Sequence, residues 1–202
     1  MPASRSPAVP AGETSSEARR LFLAWLPDAA SRDQLRALQD LLRTRLPKRD
    51  WRWVPPAQLH LTLRFLGQVA AAPAALLREA MPALAGTQPE VAAHVAGWQF
   101  WPSARSPRVL VLRLESRGAL ERLAARLEEL VAGCGLPREP RRFRAHLTLA
   151  RLGAGSAPLL PFVEAPPSLP LAIDAITLVR STLRAEGALH EPLQAWPLRA
   201  AD

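Results

Sequence analysis

The chain has 202 residues, of which 49% are hydrophobic and 22% charged; this length and composition predict a folded core and exclude a disulfide- or metal-stapled miniprotein. The formal net charge is +8, and 25 of the 26 basic residues are arginines, Lys48 being the single lysine. Arginine donates paired hydrogen bonds to phosphate, so a polyanionic partner such as nucleic acid is one explanation of this charge. The codon bias of a GC-rich genome is the other, and composition alone favours it.

Cysteine usage and hydropathy bear on the compartment. Cys134 is the only cysteine, which excludes an intramolecular disulfide and a cysteine-only zinc site and fits a reducing environment. The apolar run that follows Arg20 ends at Pro27 after six residues, too short for a signal peptide, and no 18 apolar residues run without a charge. We therefore expect a cytoplasmic protein without a membrane span.

The elements predicted along the chain alternate between strands and helices. Residues 1–17 are rich in Ala, Pro and Ser without periodicity, which predicts a disordered tail ahead of one domain over residues 18–202. The predicted elements are a strand over 20–26, a helix over 31–46, a strand over 59–66, a helix over 73–84 shortened by Pro82, strands over 91–99 and 108–115, a helix over 118–132, a strand over 143–152, a loop over 153–170, and strands over 171–180 and 189–196. This order predicts an α+β or α/β fold with a mixed or antiparallel sheet.

One four-residue motif, HLTL, begins at His60 and again at His146, 86 residues further on. Two of only four histidines are followed by Leu-Thr-Leu, a repeat that chance explains poorly. Each copy lies in an apolar run typical of a strand, so its His and Thr share one face and its two Leu share the other. If the two strands face one cleft, that cleft holds His60, Thr62, His146 and Thr148.

Two imidazoles in one cleft suit the displacement of a phosphodiester. A neutral imidazole takes the proton of the attacking water, a protonated one gives a proton to the leaving oxygen, and the Thr hydroxyls bind the non-bridging oxygens. This chemistry needs no metal or cofactor, and no Cys, Asp or Glu lies within five positions of either motif His, which disfavours zinc. The alternative is a duplication kept for strand packing, which we disfavour because His and Thr recur as faithfully as Leu.

With their flanking residues, from Trp53 to Gly67 and from Phe143 to Arg151, the two motifs resemble those of the 2H phosphoesterase superfamily. The RNA 2',3'-cyclic phosphodiesterase branch, also called 2'-5' RNA ligase, is the most similar, and the resemblance covers about residues 20–198. It implies a two-lobed α+β fold in which each lobe is a largely antiparallel sheet with helices on the outside. Each lobe then contributes one HxTx strand to a central cleft, and the order of predicted elements agrees with this.

The resemblance also implies an activity, which is metal-independent hydrolysis of an RNA-terminal 2',3'-cyclic phosphate to a 2'-phosphate, with reversible 2'-5' ligation as a further possibility. By the same resemblance, His60 is the proton donor to the departing 3' oxygen and His146 the proton acceptor for water. Thr62 and Thr148 would bind the phosphate. The residues alone do not assign the two histidine roles, because the motif copies are nearly symmetric.

The implied partner is an RNA 3' end that bears a 2',3'-cyclic phosphate, bound by a monomer without a cofactor. Two alternatives stay open. The first is a non-catalytic module that grips an RNA end. The second keeps the chemistry but changes the substrate to a small cyclic nucleotide, a 2'-5' oligonucleotide or an ADP-ribose-derived cyclic phosphate.

Two arginines are candidate phosphate ligands. Strand alternation places Arg64 on the cleft face beside Thr62. Arg151 has the opposite parity unless a bulge turns it inward, but the resemblance favours it. Residues 138–144 contain four arginines, which line either an RNA entry path or a solvated basic loop.

The remaining aromatic and histidine residues carry weaker hypotheses. Trp98, Phe100 and Trp101 precede a Pro-Ser turn, where an aromatic side chain stacks on a terminal base or, more commonly, packs in the core. His94 and His190 stand outside the HxT pattern and are predicted to be non-catalytic. At the position of His190, relatives of the resembled family commonly carry Tyr, so a ligand contact from the last strand is not carried over to His190.

Overall fold

A computed structural model describes residues 18–153, 158–159, 166–184 and 187–200. Its elements in chain order are β1 (Arg19–Trp25), α1 (Ala29–Arg45), β2 (Arg52–Trp53), a 3-10 turn (Pro56–Gln58), β3 (Leu61–Val69), α2 (Ala71–Thr87), β4 (Val91–Ser103), β5 (Ser106–Glu115), α3 (Ala119–Gly133), β6 (His146–Arg151), β7 (Pro170–Ile173), β8 (Ala175–Arg184) and β9 (Gly187–Pro197). The predicted tail over residues 1–17 and most of the predicted loop over 153–170 lie outside the described residues.

The strands form a curled antiparallel sheet in the order β7-β4-β5-β6-β3-β1-β8-β9, and β2 pairs with β6 beside this path. Its two halves, β7-β4-β5-β6 and β3-β1-β8-β9, meet where Leu61 of β3 pairs with Leu147 of β6. Each HLTL motif therefore supplies the inner strand of one half. The arrangement confirms the α+β class with two largely antiparallel lobes.

Helices cover one face of the sheet and leave the other face to the site. Leucines at helical spacing on α1 and α3, among them Leu35, Leu42, Leu123 and Leu127, are fully buried. The four motif leucines point into the same core and are at most 3% exposed. Burying these leucines fixes the register of both inner strands, so the motif histidines and threonines face the opposite side.

Two predicted elements differ from the structure. Helix α2 continues through Pro82 to Thr87, because Leu77, Met81 and Leu84 stay buried and their packing offsets the backbone hydrogen bond that proline removes. The strand predicted over 171–180 is two strands separated by Asp174. They lie in opposite halves of the sheet, β7 against β4 and β8 against β1.

The short strand β2 was not predicted from the irregular segment that contains it. It pairs Arg52 with Arg151 and Trp53 with Ala150, so it extends the β6 side of the sheet next to the second motif. No helix in the described part of the chain is long and apolar enough to cross a membrane.

Candidate active site

The two motifs cross in antiparallel fashion at the junction of the half-sheets. Leu61 pairs with Leu147, and continuing this register by one residue places His60 opposite Thr148 and Thr62 opposite His146. The two His-Thr pairs are thus related by a local two-fold axis through the leucine pair. The structure brings together the four motif residues that the sequence singled out.

A hydrogen bond of the same kind fixes each motif imidazole. The Nδ1 atom of His60 lies 2.8 Å from the carbonyl oxygen of Gln58, and that of His146 lies 2.6 Å from the carbonyl oxygen of Arg144. A carbonyl oxygen only accepts, so each Nδ1 carries the hydrogen and donates it. In the neutral ring, Nε2 then has a free lone pair and can act as a general base. In the imidazolium, Nε2 carries the second proton and can act as a general acid.

Burial shifts both imidazoles towards the neutral form. It is the main cause that lowers the pKa of His60 and of His146 below the ordinary 6.5, and it acts against the backbone hydrogen bonds, which favour the charged form. The positive charge of Arg151 lowers the pKa of both rings further, and so does the charge of His146 acting on His60. One proton shared by two imidazoles is therefore favoured over two.

A β-bulge at the last leucine of each motif reverses the strand parity there. In β1, Leu23 lies opposite Arg64 while the next residue, Ala24, lies opposite Thr62, so Leu63 is an extra residue in β3. In β5, Leu110 and Val111 lie opposite Ala150 and Thr148, so Leu149 is an extra residue in β6. Side chains five residues after each motif His therefore return to the face of the motif.

The first bulge removes Arg64 from the cleft. Its side chain is only 6% exposed and donates to both carboxylate oxygens of Glu128 on α3 and to the carbonyl oxygens of Phe65 and Pro137. The expectation that Arg64 faces the cleft beside Thr62 is wrong, because simple alternation ignores the extra residue. Phe65 takes the cleft position instead, with its ring centroid 6.0 Å from that of Phe22.

The second bulge brings Arg151 to the motif face. Arg151 lies opposite Val109 and Thr148 lies opposite Val111, two residues of β5 that share one face. Its charge acts on His60, His146 and also His190, where it lowers the pKa of each. Of the two candidate arginines, Arg151 is the one that the structure places with the histidines, and its contact with a phosphate stays a prediction.

Trp101 is the aromatic residue of its cluster that reaches the site. Its ring centroid lies 4.4 Å from that of His146, and the guanidinium of Arg144 lies 4.1 Å from the indole centroid. Trp98 and Phe100 are buried in the core, 8% and 3% exposed. Base stacking thus stays a prediction for Trp101 and is disfavoured for the two buried rings.

The arginine-rich segment before β6 divides into paired and cleft-side residues. Arg138 forms an ion pair with Glu129, and Arg141 forms one with Glu139, which lowers the pKa of that carboxyl to about 2. Arg144 reaches Trp101 instead. The run is therefore not a uniform basic entry path, and Arg144 is its member beside the site.

His190 lies beside the first motif, a position that its sequence context did not predict. Its ring centroid lies 4.8 Å from that of His60 at an angle of 85°, and 5.1 Å from that of Phe22. β9 is three positions from β3 in the sheet, so only the curl of the sheet brings His190 to the motif. No local sequence signal marks it, since it stands in no repeat. His94, by contrast, lies exposed on β4.

The donor set in the described residues is one of imidazoles, hydroxyls and a guanidinium. No group of three His, Cys, Asp or Glu side chains that could hold a metal ion occurs within residues 18–153, 158–159, 166–184 and 187–200. The pairing of two imidazoles with free Nε2 atoms, two hydroxyls and one guanidinium suits proton transfer at a bound phosphate.

Comparison with known proteins identifies the family. A family model described as LigT like Phosphoesterase matches residues 26–111 and 113–190. The chain belongs to the LigT-like phosphoesterase family. It is 34% identical over 194 residues to the RNA 2',3'-cyclic phosphodiesterase of Thermus thermophilus, a match that covers 89% of this chain and 90% of that protein.

Solved structures of two bacterial proteins share the fold. The structure is similar to TT0787 of Thermus thermophilus, with a TM-score of 0.72, 30% identity, and coverage of 91% of this chain and 100% of that one. It is also similar to E. coli LigT in its apo form, with a TM-score of 0.70, 30% identity, and coverage of 91% and 99%. The LigT-like phosphoesterase assignment therefore agrees in sequence and in fold.

Proposed function

We propose that this LigT-like phosphoesterase hydrolyses RNA-terminal 2',3'-cyclic phosphates to 2'-phosphates by paired-histidine acid–base catalysis. The names of its relatives support the substrate, since the similar Thermus thermophilus protein is an RNA 2',3'-cyclic phosphodiesterase. One observation carries the mechanism. Both motif histidines bind a carbonyl oxygen through Nδ1, which leaves both Nε2 atoms for proton transfer.

The reaction needs one proton taken and one proton given. Nε2 of neutral His146 accepts a proton from water as the water oxygen bonds to phosphorus. As the bond from phosphorus to the 3' oxygen breaks, Nε2 of protonated His60 gives its proton to that oxygen. The product is a 2'-phosphate with a free 3' hydroxyl, and proton exchange with solvent resets both rings. Which histidine plays which role rests on the family resemblance.

The remaining groups bind the charge that develops on the phosphate. Thr62 and Thr148 lie on the same face as the histidines and donate hydroxyl hydrogen bonds to the non-bridging oxygens. Arg151 supplies a fixed positive charge beside them. Donors placed in advance where negative charge grows stabilise the transition state more than the ground state.

The test is turnover and product identity on an oligonucleotide that ends in a 2',3'-cyclic phosphate. We expect a 2'-phosphate product in the presence of EDTA, and a loss of at least about 10³-fold in kcat/KM for His60→Ala and for His146→Ala. His94→Ala, an exposed strand histidine, is the matched control and keeps the wild-type rate. Binding of the oligonucleotide without turnover would favour the RNA-end-binding module instead.

A panel of substrates separates the finer alternatives. The same assay with a small cyclic nucleotide and a 2'-5' linked oligonucleotide identifies the preferred phosphodiester, and an added RNA with a 5' hydroxyl tests for 2'-5' ligation. A monomeric state and a location in the cytoplasm stay predictions of the sequence.

A further inference from the structure

We infer that His190 is a third substrate-binding imidazole, which donates its Nε2 hydrogen to a ribose or phosphate oxygen next to the one that His60 protonates. This inference rests on the proposed function for the identity of the ligand. His190 stands in no sequence motif, and the inference rests on where its ring lies, which ring nitrogen carries the hydrogen, and which residue holds it in place.

The placement of His190 is on the cleft face. Its ring packs edge-on against Phe22 and His60, and Phe22 belongs to a small buried cluster separate from the main core. Nε2 of His190 has no protein partner in the described residues and is not among the buried polar atoms. Nε2 is therefore the ring nitrogen of His190 that a ligand can reach, and its ring lies against that of His60.

The charge state of His190 follows from its neighbours. Burial, followed by the positive charges of His60, Arg151 and Arg20, lowers its pKa to about 4. The ring is therefore neutral at pH 7. A neutral imidazole carries one hydrogen and makes one donor, so the position of that hydrogen decides what the ring binds.

The tautomer follows from the environment of Nδ1. This atom is buried and has no hydrogen-bond partner. A buried N–H group without an acceptor is rarer and more costly than a buried acceptor without a donor. The hydrogen of His190 therefore resides on Nε2, where it faces the cleft. This is the reverse of the two motif histidines, whose hydrogens reside on Nδ1.

Gln58 joins His190 to the first motif as one unit. Its side-chain amide accepts from the backbone N–H of His190 at 2.9 Å and donates to the carbonyl oxygen of the same residue at 3.4 Å. Its own carbonyl oxygen accepts from Nδ1 of His60. These bonds hold the outermost strand β9 against the 3-10 turn and fix the distance between the imidazoles of His60 and His190. That distance suits contacts with neighbouring oxygens of one ribose–phosphate unit.

The test compares two substitutions that separate the donor from the ring. His190→Phe keeps an aromatic ring against Phe22 and His60 but removes the donor, whereas His190→Gln keeps an N–H near the position of Nε2. We expect kcat/KM to fall about 10- to 100-fold for Phe and to recover most of that loss for Gln, in line with one hydrogen bond to an anionic ligand. The pH dependence of kcat/KM keeps its position in both, because the charge of His190 is not among the causes that shift the pKa of His60 or His146.

The controls distinguish this inference from the proposed function. His94→Phe makes the same substitution at an exposed position and leaves kcat/KM unchanged, and thermal unfolding verifies that every variant folds. If wild type turns over but His190→Phe matches it, or if Phe and Gln are equally impaired, the inference is wrong. If wild type itself does not turn over, the proposed function is wrong, and the ligand contact is then tested by magnetic resonance.

Nitrogen chemical shifts report the tautomer without any turnover. At pH 7 we expect the hydrogen of His190 on Nε2, and we expect the shift of that nitrogen to move when a nucleoside 2'-phosphate, which carries both ribose and phosphate oxygens, is added. A hydrogen found on Nδ1, or an Nε2 signal unmoved by a saturating nucleoside 2'-phosphate, would overturn the inference.

Discussion

Arg64 and Arg151 follow the two motifs at nearly equal spacing, and the structure predicts opposite consequences for their removal. Arg64 is 6% exposed and Glu128 is 21% exposed in their ion pair. Arg64→Met removes the donor to the carbonyl oxygens of Phe65 and Pro137 and leaves the Glu128 carboxylate without its cation, although Glu128 still accepts from the backbone N–H of Glu139. Removing one partner of a buried ion pair costs about 3–5 kcal/mol in the free energy of unfolding.

The assay for Arg64→Met is thermal and denaturant unfolding beside turnover. At about 2–4 °C per kcal/mol for a chain of this size, the midpoint should fall by about 6–20 °C. The kcat/KM of the folded fraction, measured well below the midpoint, should stay near that of wild type. Arg138→Met is the matched control: its ion pair with Glu129 is exposed, so the midpoint should not move measurably.

Arg151→Met should show the converse behaviour. Arg151 is exposed, so its loss changes the free energy of unfolding by less than about 0.5 kcal/mol. Losing a cation at the phosphate should lower kcat/KM about 10²- to 10³-fold. The reasoning is refuted if Arg64→Met unfolds at the wild-type midpoint and loses turnover, because Arg64 would then be a ligand and not a structural ion pair.

Three further outcomes follow from the site. The pH optimum of kcat/KM should lie below 6.5, because burial lowers the pKa of both His60 and His146. The optimum of kcat should lie at higher pH, because a bound phosphate anion favours the imidazolium form. An optimum of kcat/KM above pH 7.5 would contradict this prediction. Thr62→Val and Thr148→Val keep the shape of the side chain, and each should lower kcat/KM about 10-fold or more without moving the unfolding midpoint. A loss of kcat/KM accompanied by a lower unfolding midpoint would instead indicate that the threonine packs the fold. The pKa of His190 is about 4 in the folded protein and near 6.5 in the unfolded chain, so the free energy of unfolding should decrease as pH falls from 6.5 to 4. Denaturant titrations at pH 7 and pH 5 should therefore show a smaller decrease for His190→Phe than for wild type. An equal decrease in the two proteins would contradict the assignment.

Periodic patterns predicted the elements well, because helices and strands bury their apolar faces against a single core. Leu120, Leu123 and Leu127 mark α3 at helical spacing, and the structure buries all three. The motif histidines and threonines share a face for the corresponding reason in strands, since their leucines fill the core. Where the local pattern and tertiary packing agree, the sequence suffices.

The failures occur where one extra residue or a distant contact decides the outcome. Arg64 was predicted on the wrong face because a bulge adds a residue without any signal in the alternation. The same kind of bulge placed Arg151, which only the family resemblance favoured. His190 enters the site through the curl of a whole half-sheet, and Asp174 separates two strands whose partners are far apart in the chain. None of these is a property of a local window of sequence.

The matching bulges have a consequence for how the cleft distinguishes its two sides. The repeated strands are equivalent through the motif itself, and five residues after each motif His the chain carries Phe65 on one copy and Arg151 on the other. A fully duplicated site would accept a phosphodiester in either of two orientations with equal energy. A cation on one side, opposite an aromatic ring on the other, makes those orientations unequal. The two sides of the cleft thus differ in charge because the fifth residue after the motif histidine is neutral Phe65 in one motif copy and cationic Arg151 in the other.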